Sequence, residues 1–266
     1  MTNCDVLIVG GGPAGSSCAW RLGRAGLDVV VWDRKAFPRD KVCAGWITPQ
    51  VLASLELDPS EYAAAGRTFQ PIAGFRVSRL GDADVCVRYD QPVSYGIRRC
   101  ELDHYLLRRS GAALRLGEPV RTMMRSGGSW ILNDAVRAPL LVGAGGHFCP
   151  VARHLCGHPT NGEPIVAAQE TEFEMSPEQA KSCRVEADVP ELFFTRDLKG
   201  YGWVFRKGRY INIGLGRQDT HGLAAHVADF LAFLEARQKI PPQRPEKLCG
   251  HPYLLYGQAP RPLIGD

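Results

Sequence analysis

The chain has no cysteines in a C-x-x-C pair, no uninterrupted apolar run long enough to cross a bilayer and no block of basic residues. Its nine cysteines, at 4, 18, 43, 86, 100, 149, 156, 183 and 249, are odd in number, which favours reduced thiols in the cytoplasm over a disulfide framework. A secretory leader is also missing. The first apolar run has no basic residues ahead of it, begins after Asp5 and is broken by glycines at 10 to 12. A membrane-spanning helix needs about 20 apolar residues, so only peripheral contact with a membrane stays open. Lys and Arg number 32 against 28 Asp and Glu, and a net charge of +4 without clustering is too mild for a nucleic-acid arm. Neither a G-x-S-x-G elbow nor an H-E-x-x-H helix is present, which leaves hydrolase chemistry unsupported. No internal repeat or low-complexity tract occurs. What remains is an ordinary globular composition, 45% hydrophobic over 266 residues, sufficient for one large domain or two smaller ones.

The stretch that organises the chain is residues 5–34, DVLIVGGGPAGSSCAWRLGRAGLDVVVWDR. A short apolar run stops at three glycines, a helical pattern follows to Gly26, and a second apolar run ends at Asp33. Gly10, Gly12 and Gly15 fill the positions of G-x-G-x-x-G, with Pro13 and Ala14 between the last two. Each glycine has a separate reason to lack a side chain: the turn off the strand, the approach of a pyrophosphate, and close packing of helix on strand. Phosphates would rest at the helix N-terminus, where unpaired N–H groups and the positive end of the dipole point outward. Asp33 stands where a carboxylate reaches a ribose hydroxyl. This predicts a dinucleotide site, with FAD and NAD undecided by the motif itself.

Further along, a loop leads to a predicted helix over 48–57 with Pro49 in its first turn. Residues 71–95 read as a β-hairpin turning at GDAD. A helix follows in ELDHYLLRRSG, then short strands near 120–124, 130–132 and 139–142, which suggest a small antiparallel meander laid on a parallel sheet. From residue 163 the chain is strand-rich, with candidates at 165–175, 191–195, 201–205 and 210–216. An amphipathic helix over 221–236 then presents Leu223, Val227, Phe230, Leu231 and Leu234 on one face, suited to covering a sheet or lying on a membrane. His147, Cys149, His154, Cys156 and His158 put five metal-capable side chains within twelve positions. Their alternating H-x-C spacing does not match zinc knuckles, so no metal is expected.

Four stretches in this order resemble the flavoprotein group that includes para-hydroxybenzoate hydroxylase, and more closely its geranylgeranyl reductase branch. The first is the N-terminal fingerprint, with Asp33 as ribose-binding acid and Arg34 as the basic residue after it. The second, Pro38-Arg39-Asp40-Lys41-Val42-Cys43-Ala44-Gly45, is similar to the reductases' P-x-x-K-x-C-G-G, with Ala44 in place of the first paired glycine. Lys41 and Cys43 are thereby implied beside the flavin ring. Chemically, that cysteine is either a tuned thiol, a pocket-shaping residue or a small loop residue. The third, Arg99-x-x-Leu102-Asp103-x-x-Leu106, resembles a helix start whose arginine approaches the cofactor, though a surface ion pair accounts for an arginine equally well. The fourth, Tyr201-x-Trp203-x-Phe205 followed after eight residues by Gly214-x-Gly216, matches Y-x-W-x-F-x8-G-x-G, with Arg206 where a proline is expected. In a strand these three aromatics share one face, as a substrate-lining wall or as plain sheet core.

The resemblance implies an α/β fold: a Rossmann-like FAD-binding domain, parallel sheet plus antiparallel meander, into which a β-rich substrate domain is inserted. The expected division is 1–70, 97–160 and 250–266 for the cofactor domain, and 71–96 with 161–249 for the substrate domain. Gly145 falls in the third cofactor loop, where Gly143-Ala144-Gly145-Gly146 replaces the hydroxylases' G-A-D-G. Gly265 and Asp266 match the start of a G-D-A-A motif whose aspartate binds the ribityl chain, which suggests a chain truncated there. The implied function is an FAD-dependent oxidoreductase reducing C=C bonds of an apolar, prenyl-like substrate, with NAD(P)H or a protein electron donor visiting transiently. A flavin monooxygenase acting on an aromatic ring is the alternative within enzymes. A truncated, non-catalytic cofactor-binding module and an NAD-dependent dehydrogenase are the readings outside the flavin enzymes.

Overall fold

The computed structural model describes residues 1–156, 165–218, 221–241 and 243–254. They fall into two units, one made of Met1–Asp40 with the described part of Cys100–Glu163, the other of Lys41–Arg99 with the described part of Pro164–Leu255.

The first unit is built on a four-stranded parallel sheet in the order Leu140–Gly143, Val6–Val9, Val29–Asp33, Ala113–Leu116. Parallel strands buried on both faces need near-continuous apolar runs, and VLIV and VVVW supply them. The period of two sorts their side chains. Val6 and Ile8, with Val29 and Val31, pack with Ala19 and Leu107 of the helices Pro13–Arg24 and Arg99–Arg109. Leu7 and Val9, with Val30 and Trp32, meet Leu132, Val136 and Ala138 on the other side. Those three belong to a sheet in the order Thr2–Asn3, Val136–Ala138, Ser129–Leu132, Met123–Ser126, whose last three strands form the expected antiparallel meander.

The second unit carries a seven-stranded sheet in the order Cys249–Leu254, Ile165–Glu174, Tyr210–Arg217, Gly200–Lys207, Glu191–Phe194, Gly74–Arg79, Val85–Arg88. All its pairings are antiparallel except Glu191–Phe194 beside Gly74–Arg79. One face is covered by the helix Leu223–Ala236, whose Val227, Phe230, Leu231 and Leu234 pack on Val204, Ile211, Ile213 and Leu215. The amphipathic stripe is therefore a sheet cover. A three-stranded sheet, Trp46–Ile47, Ser94–Ile97, Phe69–Ile72, completes the unit.

The hairpin at 71–95 and the strand candidates from 163 onward form as read. Two boundaries move. Residues 41–70 belong to the second unit because Trp46–Ile47 and Phe69–Ile72 both pair with Ser94–Ile97. Residues 250–254 join that unit too, since Cys249–Leu254 pairs with Ile165–Glu174. Two short helices went unread: Pro59–Ala64, capped by Asp58, and Pro177–Ser182, where Ser176 and Gln179 form a capping box. Among the described residues no helix is long and apolar enough to cross a membrane.

Candidate functional site

Two sets of residues, one in each unit, have the character of a site. In the first unit the glycine turn separates into the three roles expected. Gly10 has φ +116°, and a Cβ there would lie 2.4 Å from the Ala144 carbonyl oxygen. At Gly15 a Cβ would fall 1.8 Å from the Gly10 oxygen. These two glycines are required by the fold itself. Gly12 is different: its nearest neighbour would be Arg39 Nη2 at 3.5 Å, an ordinary contact. Nothing within the unit forbids a side chain there, so what Gly12 leaves open is room for something outside the chain. The helix that follows has no side-chain cap, with Gly12 at its N-cap and Pro13 in its first turn. Its first N–H groups thus face outward as an anion site would require.

Asp33 does structural work in this turn. Its Oδ2 accepts from the Gly11 N–H at 2.7 Å and its Oδ1 from the Lys35 N–H at 2.8 Å. Each carboxylate oxygen retains a lone pair for a hydroxyl. Asp33 and Arg34 line a cavity of about 530 Å³ together with Val9, Gly10, Trp32 and Gly145. Pro119, Phe148 and Arg153 add to its wall. That volume lies in the range of small-molecule sites. The Trp32 indole is fixed by donating to the Glu118 carbonyl at 2.7 Å. Gly145 earns its place by closeness, since a Cβ would stand 3.0 Å from Cys149 Cα. The aspartate of a G-A-D-G motif would therefore need Cys149 to shift.

The structure brings together Gly10, Asp33, Arg34 and Gly145 around the cavity, with Gly12, Pro13, Ala14 and Gly15 at the turn and helix start. Lys41 and Arg99 belong to the second unit, Arg99 as the first residue of the helix Arg99–Arg109. Asp266 lies outside the described residues. The cation that stands at the glycine turn is Arg39, which sequence reading quoted only as a spacer of the P-x-x-K motif. Arg39 stacks on the Phe37 ring at 4.6 Å and pairs with the buried Asp103 carboxylate at 3.2 Å. Asp103, the acid of the R-x-x-L-D stretch, thus orients an arginine. The signal that points to it is Pro38, which turns the chain just before Arg39.

In the second unit the strand Gly200–Lys207 turns Tyr201, Trp203, Phe205 and Lys207 to the face opposite the helix, and they are graded in depth. Tyr201 is 40% exposed, Trp203 7% and Phe205 0%. The three thus divide between the two readings that the strand pattern left open. Phe205 is core, close to Gly96 of the three-stranded sheet and tilted against Trp46 at 6.1 Å. The open end is Tyr201, whose ring meets Trp203 at 5.8 Å and the exposed Phe194 at 6.3 Å.

The G-x-G of the same motif is explained by register. Trp203 pairs with Gly214 and Tyr201 with Gly216, and the next strand presents Glu170 opposite Gly214 and Ala168 opposite Gly216. A Cβ at Gly214 would lie 2.3 Å from the Trp203 ring, so the indole lies flat over this glycine. Trp203 Nε1 donates to Asn212 Oδ1 at 2.7 Å, and Asn212 Nδ2 donates to Glu172 Oε2 at 3.2 Å. Glu172 also pairs with Lys207 and, at 3.0 Å, with Arg98. Lys207 is 0% exposed and donates to the Ile97 carbonyl at 3.0 Å.

Over this face runs the loop that holds Cys43. The Cys43 N–H donates to Glu170 Oε1, and Gly45 N–H approaches Cys43 Sγ at 3.4 Å. Ala44 packs on the cluster of Ala168, Trp203 and Phe205, so the methyl that replaces the family's glycine is accommodated by the aromatic strand. Gly45, at φ +69°, is wedged: a Cβ would sit 2.1 Å from the Ile97 oxygen and 2.7 Å from Lys207 Nζ. Glu170, which sequence reading passed over as one residue of a strand, is 4% exposed, and its Oε2 has no hydrogen-bond partner. Burial pushes its acid up to about 7, against the opposing pull of the Cys43 N–H and Lys207. Burial likewise raises the Tyr201 hydroxyl, with Cys43 adding to the effect. Among the described residues no three His, Cys, Asp or Glu side chains converge as a metal site would need, and His158 lies outside them.

A family model for FAD-dependent oxidoreductases matches residues 5–83. The menaquinone reductase of Mycolicibacterium smegmatis is 33% identical over 244 residues, covering 85% of this chain and 58% of that protein. Digeranylgeranylglycerophospholipid reductase 1 of Methanosphaera stadtmanae is 26% identical over 262 residues, 91% of this chain and 62% of the relative. The chain thus spans about three-fifths of the length of these curated relatives. Among solved structures, a geranylgeranyl bacteriochlorophyll reductase-like protein of Thermoplasma acidophilum superposes with a TM-score of 0.75 at 19% identity, covering 96% of this chain and 67% of that one. With the fingerprint and the Asp33 contacts, residues 5–83 are similar to FAD-dependent oxidoreductases, and the chain shares the fold of the geranylgeranyl reductase-like structure.

Proposed function

We propose that this chain is the cofactor- and substrate-binding part of an FAD-dependent reductase that saturates C=C bonds in an apolar, prenyl-like substrate. The observation that carries the reading is the aromatic face of the second unit. Its open end, Tyr201 with Phe194 beside Trp203, is a large apolar surface, and its floor is kept flat by Gly214 and Gly216. An extended hydrocarbon gains by leaving water for such a surface at about 25 cal/mol per Å² buried. The names of the relatives support it as well, since they act on menaquinone and on geranylgeranyl lipids.

The first unit supplies what an FAD needs: the open space at Gly12, the helix start beside it, Arg39 at the turn, and Asp33 with Arg34 on the cavity wall. Bound there, the flavin would contribute the two-electron chemistry. The chain's own residues bind and orient: the glycine turn and Arg39 the diphosphate, Asp33 the ribose, Tyr201 and Trp203 the hydrocarbon. Cys43 takes the reacting end in this reading, which the passage of its loop over the aromatic strand supports. An NAD(P)H or a protein serves as transient electron donor, since the sequence contains a single dinucleotide fingerprint.

The test is anaerobic. Purified protein is loaded with FAD, reduced with dithionite and mixed with a geranylgeranyl lipid, which has no quinone ring to take the electrons. Return of the oxidised flavin spectrum, with a product heavier by two hydrogens, is the expected result. Reoxidation only on admitting oxygen, with an oxygen atom in the product, would replace the reading with the monooxygenase one. A sample that stays colourless in excess FAD would leave a module without flavin chemistry.

A further inference from the structure

The buried carboxyl of Glu170 is used by no step above, and its surroundings are specific. It projects from the strand Ile165–Glu174 toward the face that bears Trp203, opposite Gly214. One oxygen receives the Cys43 N–H and the other is enclosed, while the Asn212 amide, which donates to Glu172, stands close enough to pull this acid down as well. The neighbouring acid, Glu172, is saturated by Lys207, Arg98 and Asn212. Two carboxylates two residues apart thus sit in opposed environments, one paired by cations and one desolvated, the usual arrangement when one of a pair is to change its protonation state.

We infer that Glu170 is a positioning residue for Cys43: its carboxyl ties the loop 41–45 to the sheet through the Cys43 N–H, and this tie changes when the carboxyl gains or loses its proton. As an acid, Glu170 offers the amide a neutral acceptor. As an anion it makes a charge-assisted bond to that N–H, which is shorter and stronger and holds the loop that carries the sulfur more tightly. The groups that share this space are Lys207 and Tyr201 from the aromatic strand, Glu172 from its own strand, Arg98 through Glu172, Cys43 from the loop, and Cys249, His251 and Tyr253 from the edge strand paired alongside. Only Lys207 and Arg98 among them carry lasting positive charge, and both are engaged with Glu172. The consequence is a thiol whose reactivity is restrained once Glu170 ionises, with the acid itself pushed up to about 7. This inference rests on the reductase reading only for its bearing on turnover.

The test needs neither cofactor nor substrate. Alkylation of Cys43 by iodoacetamide is followed by peptide mass spectrometry in the wild-type protein and in Glu170→Gln, from about pH 5.5 to about pH 8.5. Glutamine mimics the neutral acid. The two proteins should therefore react at equal rates below about pH 6, and the variant should be faster by on the order of fivefold above about pH 8. A ratio that is the same across the pH range would overturn the inference, because a merely structural loss changes the rate uniformly. If Glu170→Gln fails to fold, the wild-type profile decides: a bend below unit slope near neutrality supports the role, and a straight line of unit slope overturns it. Loss of reductase activity would not touch this result, and a flat ratio would leave the reductase reading standing.

Discussion

Gly12 and Gly15 look alike in the sequence and differ in what surrounds them. A methyl at Gly15 would overlap the Gly10 carbonyl, whereas one at Gly12 meets only the far end of Arg39. Gly15→Ala should therefore be severely destabilised and recovered as insoluble protein. Gly12→Ala should fold with a near-native circular dichroism spectrum and yet lose FAD, by tenfold or more in Kd, when titrated by flavin fluorescence. Glu170 gives a second prediction, and its sign follows from the direction of its shift. Its ordinary value is 4.5 and its folded value about 7, so between these the folded state binds more protons than the unfolded one. The stability this group contributes is greatest below about pH 4.5, falls as the pH rises to about 7, and stays low above that. Glu170→Gln removes the fall, so its stability advantage over wild type should grow from near zero at pH 4.5 to at most ~3 kcal/mol at pH 8, read by urea denaturation. The glycines were legible in the sequence because their spacing reports backbone geometry. Glu170 was not, because nothing in IVAAQETEFE tells which of its acids will be paired and which will be buried alone.

At the scale of elements, the strand Gly200–Lys207 has a glycine problem on each face. Gly202 faces the helix Leu223–Ala236, where a Cβ would lie 2.5 Å from the Phe230 ring; on the adjoining strand Gly214 lies under Trp203. Gly202→Ala should loosen the helix from the sheet, and Gly214→Ala should displace the indole and break its bond to Asn212. Each is expected to cost about 1–3 kcal/mol in thermal or denaturant unfolding, as overpacking does. Only the second should shift tryptophan fluorescence and impair binding of an apolar substrate, and equal spectral change in both would refute the assignment of faces. The alternation of YGWVF and YINIGLG made these strands readable, and the stripe in HGLAAHVADFLAFLEA made the helix readable. The depth gradient along the strand was not readable. Phe205 is sealed because Gly96 brings the three-stranded sheet close, a contact between segments more than a hundred residues apart.

For the molecule as a whole, the sequence shows an α/β nucleotide unit and a β-rich second unit, but not where the chain leaves one for the other. Residues 41–70 follow the fingerprint directly and yet pair with Ser94–Ile97, a decision made by hydrogen bonding across the sheet that no local pattern announces. Since the glycine turn and its cavity lie in the first unit alone, ligand binding should stabilise that unit by mass action. FAD at about 100 times its Kd should add ~2.7 kcal/mol, visible as a raised thermal midpoint in calorimetry and reduced to about 1.4 kcal/mol or less in Gly12→Ala. If the units melt in separate transitions, only one of them should move.

The enclosed ammonium of Lys207 has a meaning for how the chain finds this arrangement. It is satisfied in a single alignment of strands, the one that sets it against Glu172 and the Ile97 oxygen. Sliding the hairpin by one residue would reverse every side chain and turn that cation to the face of Val204, Ile213 and Phe230, away from Glu172 and the Ile97 oxygen. Lys207 is thus a proofreading mark for the ladder, rejecting misaligned hairpins that greasy residues alone would tolerate.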